Sequence, residues 1–271
     1  MKLIDCFMYF DEELILDIRL NTLNKFVDYF VITEATFDHA GNSKKINFDI
    51  KNFSKFKDKI KHIIVDDLPQ KVTSTKKNWH SAHVRDQFQR NALERGYKEF
   101  DNEDLIMISD IDEIPNPDKI FNFNTNNKYA CFLQKNFQAK INRLNMTETY
   151  WPGTKICKKK NLKSPQWLRN IKVKEVPFWK FFKDRQPQII LDGGWHFSFL
   201  KSPELIQKKI KSFAHQEFNR EDLVDINKIK NRIKLGTDIF DRNYKYQKIN
   251  LNNDFPNYIL ENKIKFKDWI I

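Results

Sequence analysis

The residues best suited to chemistry lie in one run, Ser109-Asp110-Ile111-Asp112-Glu113, directly behind the apolar stretch Leu105 to Ile108. A short continuous apolar run reads as a strand buried on both faces, and Pro115 and Pro117 stop it and start a short helix. The acids therefore stand where a buried strand ends. In an extended segment, residues two apart face the same side, so Asp110 and Asp112 can converge on one ion. Hard carboxylate oxygens suit Mg²⁺ or Mn²⁺, and such an ion can neutralise a diphosphate leaving group as a Lewis acid. The plainer alternative is that these acids cap the turn and helix that follow. Asp-x-Asp alone does not separate the two, but the apolar strand in front of it favours the ligand-facing position.

Three further groups of residues carry chemistry. Gly193-Gly194-Trp195-His196-Phe197-Ser198 combines glycines that let backbone approach a ligand, a Trp able to cover a sugar face, and a His able to complete the metal site of Asp110 and Asp112. A tight turn followed by a core Trp fits the same residues. His215 and Glu217 fall near the end of a helix opening at Pro203, and Glu217 follows Phe213 at helical spacing. Facing inward, Glu217 could act as a general base; facing outward, it is an ordinary helix-end acid. Arg85 and Arg90 are the best cations to meet phosphate oxygens, the alternative being exposed helix charges. Glu34 is a second acid at a strand end, after Tyr29-Phe30-Val31-Ile32-Thr33.

The elements that must position these groups alternate. Residues 3–9 read as a strand, and a helix opens near Asp11-Glu12-Glu13, where acids suit the helix dipole. Leu16, Leu20, Leu23 and Val27 form its apolar face. Strands follow at 29–34 and at Ile60 to Val65. Residues 79–97 form a helix with Val84, Phe88 and Ala92 on one side, and the strand at 105–108 comes next. This alternation predicts a doubly wound α/β domain, in which ligands bind beyond the carboxyl ends of the strands. A longer strand at 129–142, irregular or antiparallel structure over 143–195, a helix from Pro203 with Ile206, Ile210 and Phe213 inward, and another over about 222–234 complete the reading.

The composition restricts the function classes. The chain has 271 residues, with 24 Phe, 6 Trp and only 6 Gly, which excludes a largely disordered chain. The net charge of +12 invites a nucleic-acid reading. The Lys is spread along the whole chain, however, and no segment stacks Arg with aromatics, so no nucleic-acid partner is expected. A diffuse positive field equally attracts a nucleotide diphosphate. Cys6, Cys131 and Cys157 are widely spaced and fit buried thiols. No signal peptide or membrane span is read from the sequence, and a cytoplasmic location is expected.

Taken in order, these residues resemble glycosyltransferase family 17. The resemblance runs through Ile4-Asp5-Cys6-Phe7, Phe10-Asp11-Glu12-Glu13-Leu14, Ile18-Arg19-Leu20, Val27-Asp28-Tyr29-Phe30-Val31-Ile32-Thr33-Glu34, Gly41 and Arg90. It is sharpest at Asp110-Ile111-Asp112-Glu113-Ile114-Pro115 and Gly194-Trp195-His196-Phe197-Ser198. It ends with Lys209-Ile210-Lys211-Ser212-Phe213 and Gly236-Thr237-Asp238-Ile239-Phe240.

What the resemblance implies is a GT-A-type (Rossmann-like) nucleotide-diphosphosugar transferase fold with a mixed central sheet. It implies one catalytic domain over 1–240, with a nucleotide-binding part at about 1–115, an acceptor-side part at about 116–240, and a C-terminal tail at 241–271 packed on the domain. The implied reaction is an inverting transfer of GlcNAc from a UDP-sugar, with Mn²⁺ or Mg²⁺, to a glycan or glycoconjugate acceptor. Asp110 and Asp112 match the family's Asp-x-Asp motif, with Asp112 favoured as the direct ligand, and His196 lies in its Gly-Trp-His motif. Glu34 would hydrogen-bond the uridine, Gly194 and Trp195 would approach the donor, and Glu217 leads Glu113 as base. Animal members of the family carry a Golgi membrane anchor that this sequence does not present, which suggests a free-standing microbial or viral domain. Two rivals share these residues: a metal-dependent nuclease or phosphodiesterase, and a non-catalytic carbohydrate-binding module.

Overall fold

A computed structural model describes residues 1–69, 78–174, 184–212 and 214–271. Phe213, expected inward, lies outside the described residues. Leu3–Met8 forms β1 and Glu13–Leu23 forms α1. They lead through β2 (Tyr29–Ala35) and β3 (Ile60–Val65) to α2 (Asn78–Asn91), α3 (Glu94–Tyr97) and β4 (Leu105–Ser109). Next come β5 (Glu113–Pro115), α4 (Pro117–Ile120), β6 (Tyr129–Gln138), β7 (Arg143–Asn145), β8 (Tyr150–Lys158), α5 (Pro165–Asn170), β9 (Gln188–Ile190) and β10 (Gly194–Ser198). The chain closes with α6 (Pro203–Ser212), α7 (Glu221–Val224), α8 (Ile226–Leu235), β11 (Tyr246–Lys248) and α9 (Asn257–Glu261).

The architecture is a mixed central sheet flanked by helices, with strand order β11-β7-β6-β8-β4-β1-β2-β3. β3, β2, β1 and β4 are mutually parallel, and β8 joins β4 antiparallel. The chain winds outward from β1 to β3 and then returns to β4 on the other side of β1. That reversal opens a crevice at the carboxyl ends of β1 and β4, the place where open parallel sheets bind ligands. The apolar runs of β1, β2 and β4 are buried because both faces of the sheet are covered. One face packs on α1 and the Phe-rich segment around Phe48 and Phe53, the other on α3 and α5. Ile206, Ile210, Leu223, Ile229 and Ile239 form a satellite core beneath α6 and α8. The three cysteines are free thiols, all buried.

Several boundaries differ from the sequence reading for identifiable reasons. The expected helix at 79–97 is two helices, α2 and α3. The helix expected at 222–234 is likewise two, parted by Asp225, whose extended backbone and carboxylate cap α8 at Lys228 N (2.9 Å). Pro115 does not stop β4; it ends β5, a three-residue strand antiparallel to β10. β10 in turn runs parallel to the far end of β6, so the acid run between β4 and β5 is hydrogen-bonded into the sheet.

Gly194 makes the β5–β10 pairing possible. Its φ is +131°, and a Cβ there would run into the Ile114 carbonyl oxygen and the Asn116 nitrogen. The expectation that Gly194 approaches a donor is thus corrected: the close approach it permits is to β5. Gly194→Ala should cost at least about 2 kcal/mol, combining a strained φ with a backbone clash. Urea unfolding that gave the variant wild-type stability would contradict this.

Candidate active site

The acid run is shaped from beneath by Arg19. This side chain is fully buried in the apolar face of α1 and pairs with the equally buried Asp5 of β1 through Nη2–Oδ1 (2.6 Å) and Nε–Oδ2 (2.7 Å). Its Nη1 donates to the carbonyls of Asp110 (3.2 Å), Ile111 (3.0 Å) and Glu113 (2.9 Å), and Nη2 also donates to Ser109 Oγ (2.6 Å). The turn therefore closes around a guanidinium, and its carboxylates are left to point elsewhere.

Where they point differs. Asp110 is met by Arg90 on Oδ1 (3.2 Å) and Arg169 on Oδ2 (2.9 Å). Burial works against the charge, but the two guanidiniums outweigh it and hold Asp110 well below the usual carboxylate range. Arg169 sits in the last turn of α5, a helix capped by Ser164 and begun by Pro165. Burial opposes its charge as well, yet Asp110 and Glu113 raise it well above an ordinary arginine. Glu113 is wholly buried: Oε1 accepts from Trp151 Nε1 (2.6 Å) and Arg169 Nη2 (2.8 Å), and Oε2 from the Asp110 backbone N–H (3.1 Å). The expectation of a base at Glu113 is corrected. It is a bracket for the turn, with both oxygens engaged and no exposure.

Asp112 turns the other way. Its Oδ1 lies 3.8 Å from His196 Nε2 and its Oδ2 lies 3.4 Å from Lys209 Nζ on α6. β10 brings His196 there, because the Phe197 N–H donates to the Asp112 carbonyl (2.9 Å) and His196 pairs in register with Glu113. His196 Nδ1 lies 3.1 Å from Asn136 Oδ1, and its ring stacks on Trp151 with centroids 4.8 Å apart. Lys209 also lies 3.9 Å from Glu12 Oε1. Burial opposes its charge, but Asp112 and Glu12 win and raise it above an ordinary lysine. Burial likewise opposes ionisation of Glu12, but Lys201, Lys209 and the N–H groups of Asp11 and Phe10 bring it down to about 2.

These groups floor a cavity of about 630 Å³ at the crevice between β1 and β4. Its wall includes Glu12, Arg90, Asp110, Asp112, His196 and Lys209, with Trp151, Phe199, Phe240 and Tyr246 adding aromatic surface and His39, His83 and His215 further up. Among the described residues, no three His, Cys, Asp or Glu side chains stand together as a metal cage.

Other expected residues are placed elsewhere. Strand alternation turns Trp195 away from His196 and into the core, where its Nε1 donates to the Asp254 carbonyl (2.7 Å). The expectation that it covers a sugar at this site is corrected, and Trp151 supplies the aromatic face instead. Glu34 is fully buried on the far face of β2. It accepts from Lys44 Nζ (2.5 Å) and from the backbone N–H groups of Asn47 (2.7 Å) and Phe48 (3.0 Å), so it ties down a loop and does not line the cavity. Burial would raise its carboxyl, but His62, Lys44 and those N–H groups lower it. A uridine contact from Glu34 is therefore not supported. Arg85 is buried rather than exposed, yet it donates to the carbonyls of His39 (3.1 Å) and Pro69 (3.2 Å) instead of facing a phosphate. Glu217 is not inward. It is half exposed beside His215, and only the His of the pair lines the cavity.

Arg19, Asp5, Arg169, Lys209 and Trp151 were not singled out from the sequence. Two signals were present: a lone acid inside the apolar run of β1, and an arginine inside the apolar stripe of α1. Buried ions need partners, so each predicts the other.

The sequence model of glycosyltransferase family 17 matches residues 1–152. The chain belongs to this family. Its relatives include the beta-1,4-mannosyl-glycoprotein 4-beta-N-acetylglucosaminyltransferases of Rattus norvegicus and Homo sapiens. Each is 24% identical to it, over 93% of this chain and 51% and 52% of the relative, respectively. The Mus musculus protein of the same name matches equally, at 24% identity. The chain thus spans about half the length of the curated relatives it matches. These mammalian relatives overturn the expectation of a cytoplasmic microbial or viral protein. That expectation rested on where the sequence begins, which is no guide in a chain half as long as its relatives. Among the described residues, no helix is long and apolar enough to cross a membrane.

The Arg19 knot makes a sharp prediction. Arg19→Met leaves Asp5 charged and unpaired in the core and should cost about 3–5 kcal/mol. Adding Asp5→Asn should recover part of this, but not all, because three turn carbonyls remain without their donor. A urea midpoint for Arg19→Met close to wild type would refute the arrangement.

Proposed function

We propose that the chain is a metal-dependent, inverting glycosyltransferase on a GT-A-type fold, moving a sugar, GlcNAc by analogy with its relatives' names, from a UDP-sugar to a glycan hydroxyl. The observation that carries this reading is the convergence of Asp112, His196 and Lys209 on the floor of a cavity at the β1–β4 crevice, in a family-17 chain. A cavity of about 630 Å³ is of ligand-binding size.

The donor set fits a hard divalent ion. Asp112 Oδ1 and His196 Nε2 stand 3.8 Å apart, a gap that one ion can bridge at ordinary ligand distances of about 2.0–2.2 Å. With His196 Nδ1 directed at Asn136 Oδ1, Nε2 is the nitrogen suited to a metal. Two protein donors suit Mg²⁺ or Mn²⁺, which complete their shells with water and substrate phosphate. Asp110, clamped by two arginines, supports this site through the turn. The bound ion would act as a Lewis acid on the diphosphate. Lys209 can add positive charge at the same place, Trp151 offers a flat face to a sugar ring, and the buried turn keeps Asp112 in one orientation.

The test is calorimetry with UDP and UDP-GlcNAc, with and without MnCl₂, alongside UDP release. Asp112→Asn should keep the wild-type urea midpoint but lose Mn²⁺-dependent donor binding and turnover by about 10²-fold or more, since a Lewis acid contributes several kcal/mol. Wild-type turnover in that variant would sink the metal assignment. Mg²⁺-dependent cleavage of DNA without nucleotide-sugar binding would favour a nuclease instead.

A further inference from the structure

We infer that the segment 238–246, held by the buried Asp238, forms the acceptor subsite and takes a neutral saccharide. This inference rests on the transferase reading above. The cavity runs across the strand ends in sheet order. Phe37 and His39, after β2, line one end, and Asn145 of β7 and Tyr246 of β11 line the other. Between them stand Asp112, after β4, and His196 on β10, which lies beside β6. In an inverting displacement the acceptor oxygen attacks from the side opposite the leaving group. A diphosphate held at Asp112, with its nucleoside toward the parallel strands β1 and β2, leaves the β7–β11 end for the acceptor.

That end is built by one carboxylate. Asp238, in the Gly236-Thr237-Asp238-Ile239-Phe240 stretch, is 1% exposed. Its Oδ1 accepts from the Tyr246 hydroxyl (2.6 Å), Arg242 Nη2 (2.8 Å) and Gln138 Nε2 (3.0 Å). Its Oδ2 accepts from Arg242 Nε (2.9 Å) and from the backbone N–H groups of Phe240 (2.9 Å) and Arg242 (3.1 Å). Gln138, Phe240, Arg242 and Tyr246 are thereby tied to one buried group, and all four line the cavity. β11 adds a second restraint, because Tyr246 pairs in register with Asn145 of β7. Burial would raise the Asp238 carboxyl, but Arg242, Tyr246 and Gln138 outweigh it and bring it down to about 2. The anchor is therefore charged throughout the neutral range.

The chemistry of this wall is that of a sugar site. Phe240 and Tyr246 supply aromatic surface for the C–H face of a pyranose. Among the described residues, Asn145 Nδ2 and Arg242 Nη1 donate to no protein group and are left for hydroxyls. Charge then decides the class of saccharide. Arg242 is balanced by Asp238 at 2.8 Å. The buried Arg143, 5.0 Å from the centre of the Tyr246 ring, faces Glu148 as a further acid on the same wall. A phosphorylated or carboxylated acceptor would find no net positive charge here, whereas a neutral one loses nothing.

The test reads binding to a glycan array of neutral, sialylated and phosphorylated oligosaccharides, with UDP and MnCl₂ present, and UDP affinity by calorimetry. Wild type should retain neutral glycans in preference to charged ones. Tyr246→Ala and Arg242→Ala should each weaken the strongest neutral glycan by about 10-fold or more, the loss expected of a Tyr or Arg anchor, with the UDP Kd within twofold of wild type. Tyr246→Phe removes only the hydroxyl bond to Asp238 and should weaken the same glycan by less, which tests the anchor separately from the ring. Four results would overturn this inference alone: unchanged glycan binding in both alanine variants, a loss of UDP binding that matches the glycan loss, a wild-type preference for charged glycans, or a wild type that binds UDP and retains no glycan. A wild-type chain that binds no UDP with MnCl₂ overturns the transferase reading, whatever glycans it holds.

Discussion

The geometry of the candidate site depends on a charge that has no water around it. The Arg19 guanidinium is enclosed by Asp5, the Ser109 hydroxyl and the carbonyls of Asp110, Ile111 and Glu113 in the turn after β4. A buried arginine is costly unless its hydrogen-bond donors are satisfied in a fixed fork, and here the backbone of the acid run supplies the acceptors. The turn cannot relax without stranding that charge. Everything above it inherits the constraint: the Asp112 carbonyl is fixed to receive Phe197, β10 is fixed to deliver His196, and Glu113 is fixed beneath Arg169.

Strand parity then sorts the side chains. Along β10, Trp195 and Phe197 enter the core while His196 and Ser198 reach the cavity. Along β2, Glu34 shares a face with Phe30 and Ile32, whereas Thr33 shares one with Val31 and touches Gln89 of α2. A motif read as a contiguous string of functional residues is therefore split by the pleat. Half of such a string builds the wall and half builds what the wall leans on. Gly-Trp-His divides in this way; the acid run divides through its turn instead, where Asp112 faces the cavity and Glu113 is buried.

This explains how much could be read from the sequence. The parallel strands were legible because their apolar runs are long enough to require two covered faces, and the acid run was legible because it follows one of them. α1 was legible from Leu16, Leu20 and Leu23. The partners were not, since Arg169 and Trp151 come from a stretch without helical or strand periodicity, and their contacts with Glu113 are set by tertiary packing. Arg85 and Arg90 illustrate the limit. The spacing on α2 identified them together, yet five residues at 3.6 per turn set them about 140° apart around the helix, which sends Arg90 to Asp110 and Arg85 to the loop carbonyls of His39 and Pro69.

The charges of the site fall into two kinds, and the distinction bears on catalysis. On the floor, Asp5 with Arg19, Glu113 with Arg169, and Asp110 with Arg90 and Arg169 are buried pairs. Such pairs add little net stability, because desolvation offsets attraction. Their use is geometric: charges held in place by their partners form a fixed electrostatic surface. His215 and Glu217 form a pair that sits half in water, where solvent screens the attraction and holds the two side chains less rigidly. Burial explains why the floor is rigid, and partial exposure why this pair is less so.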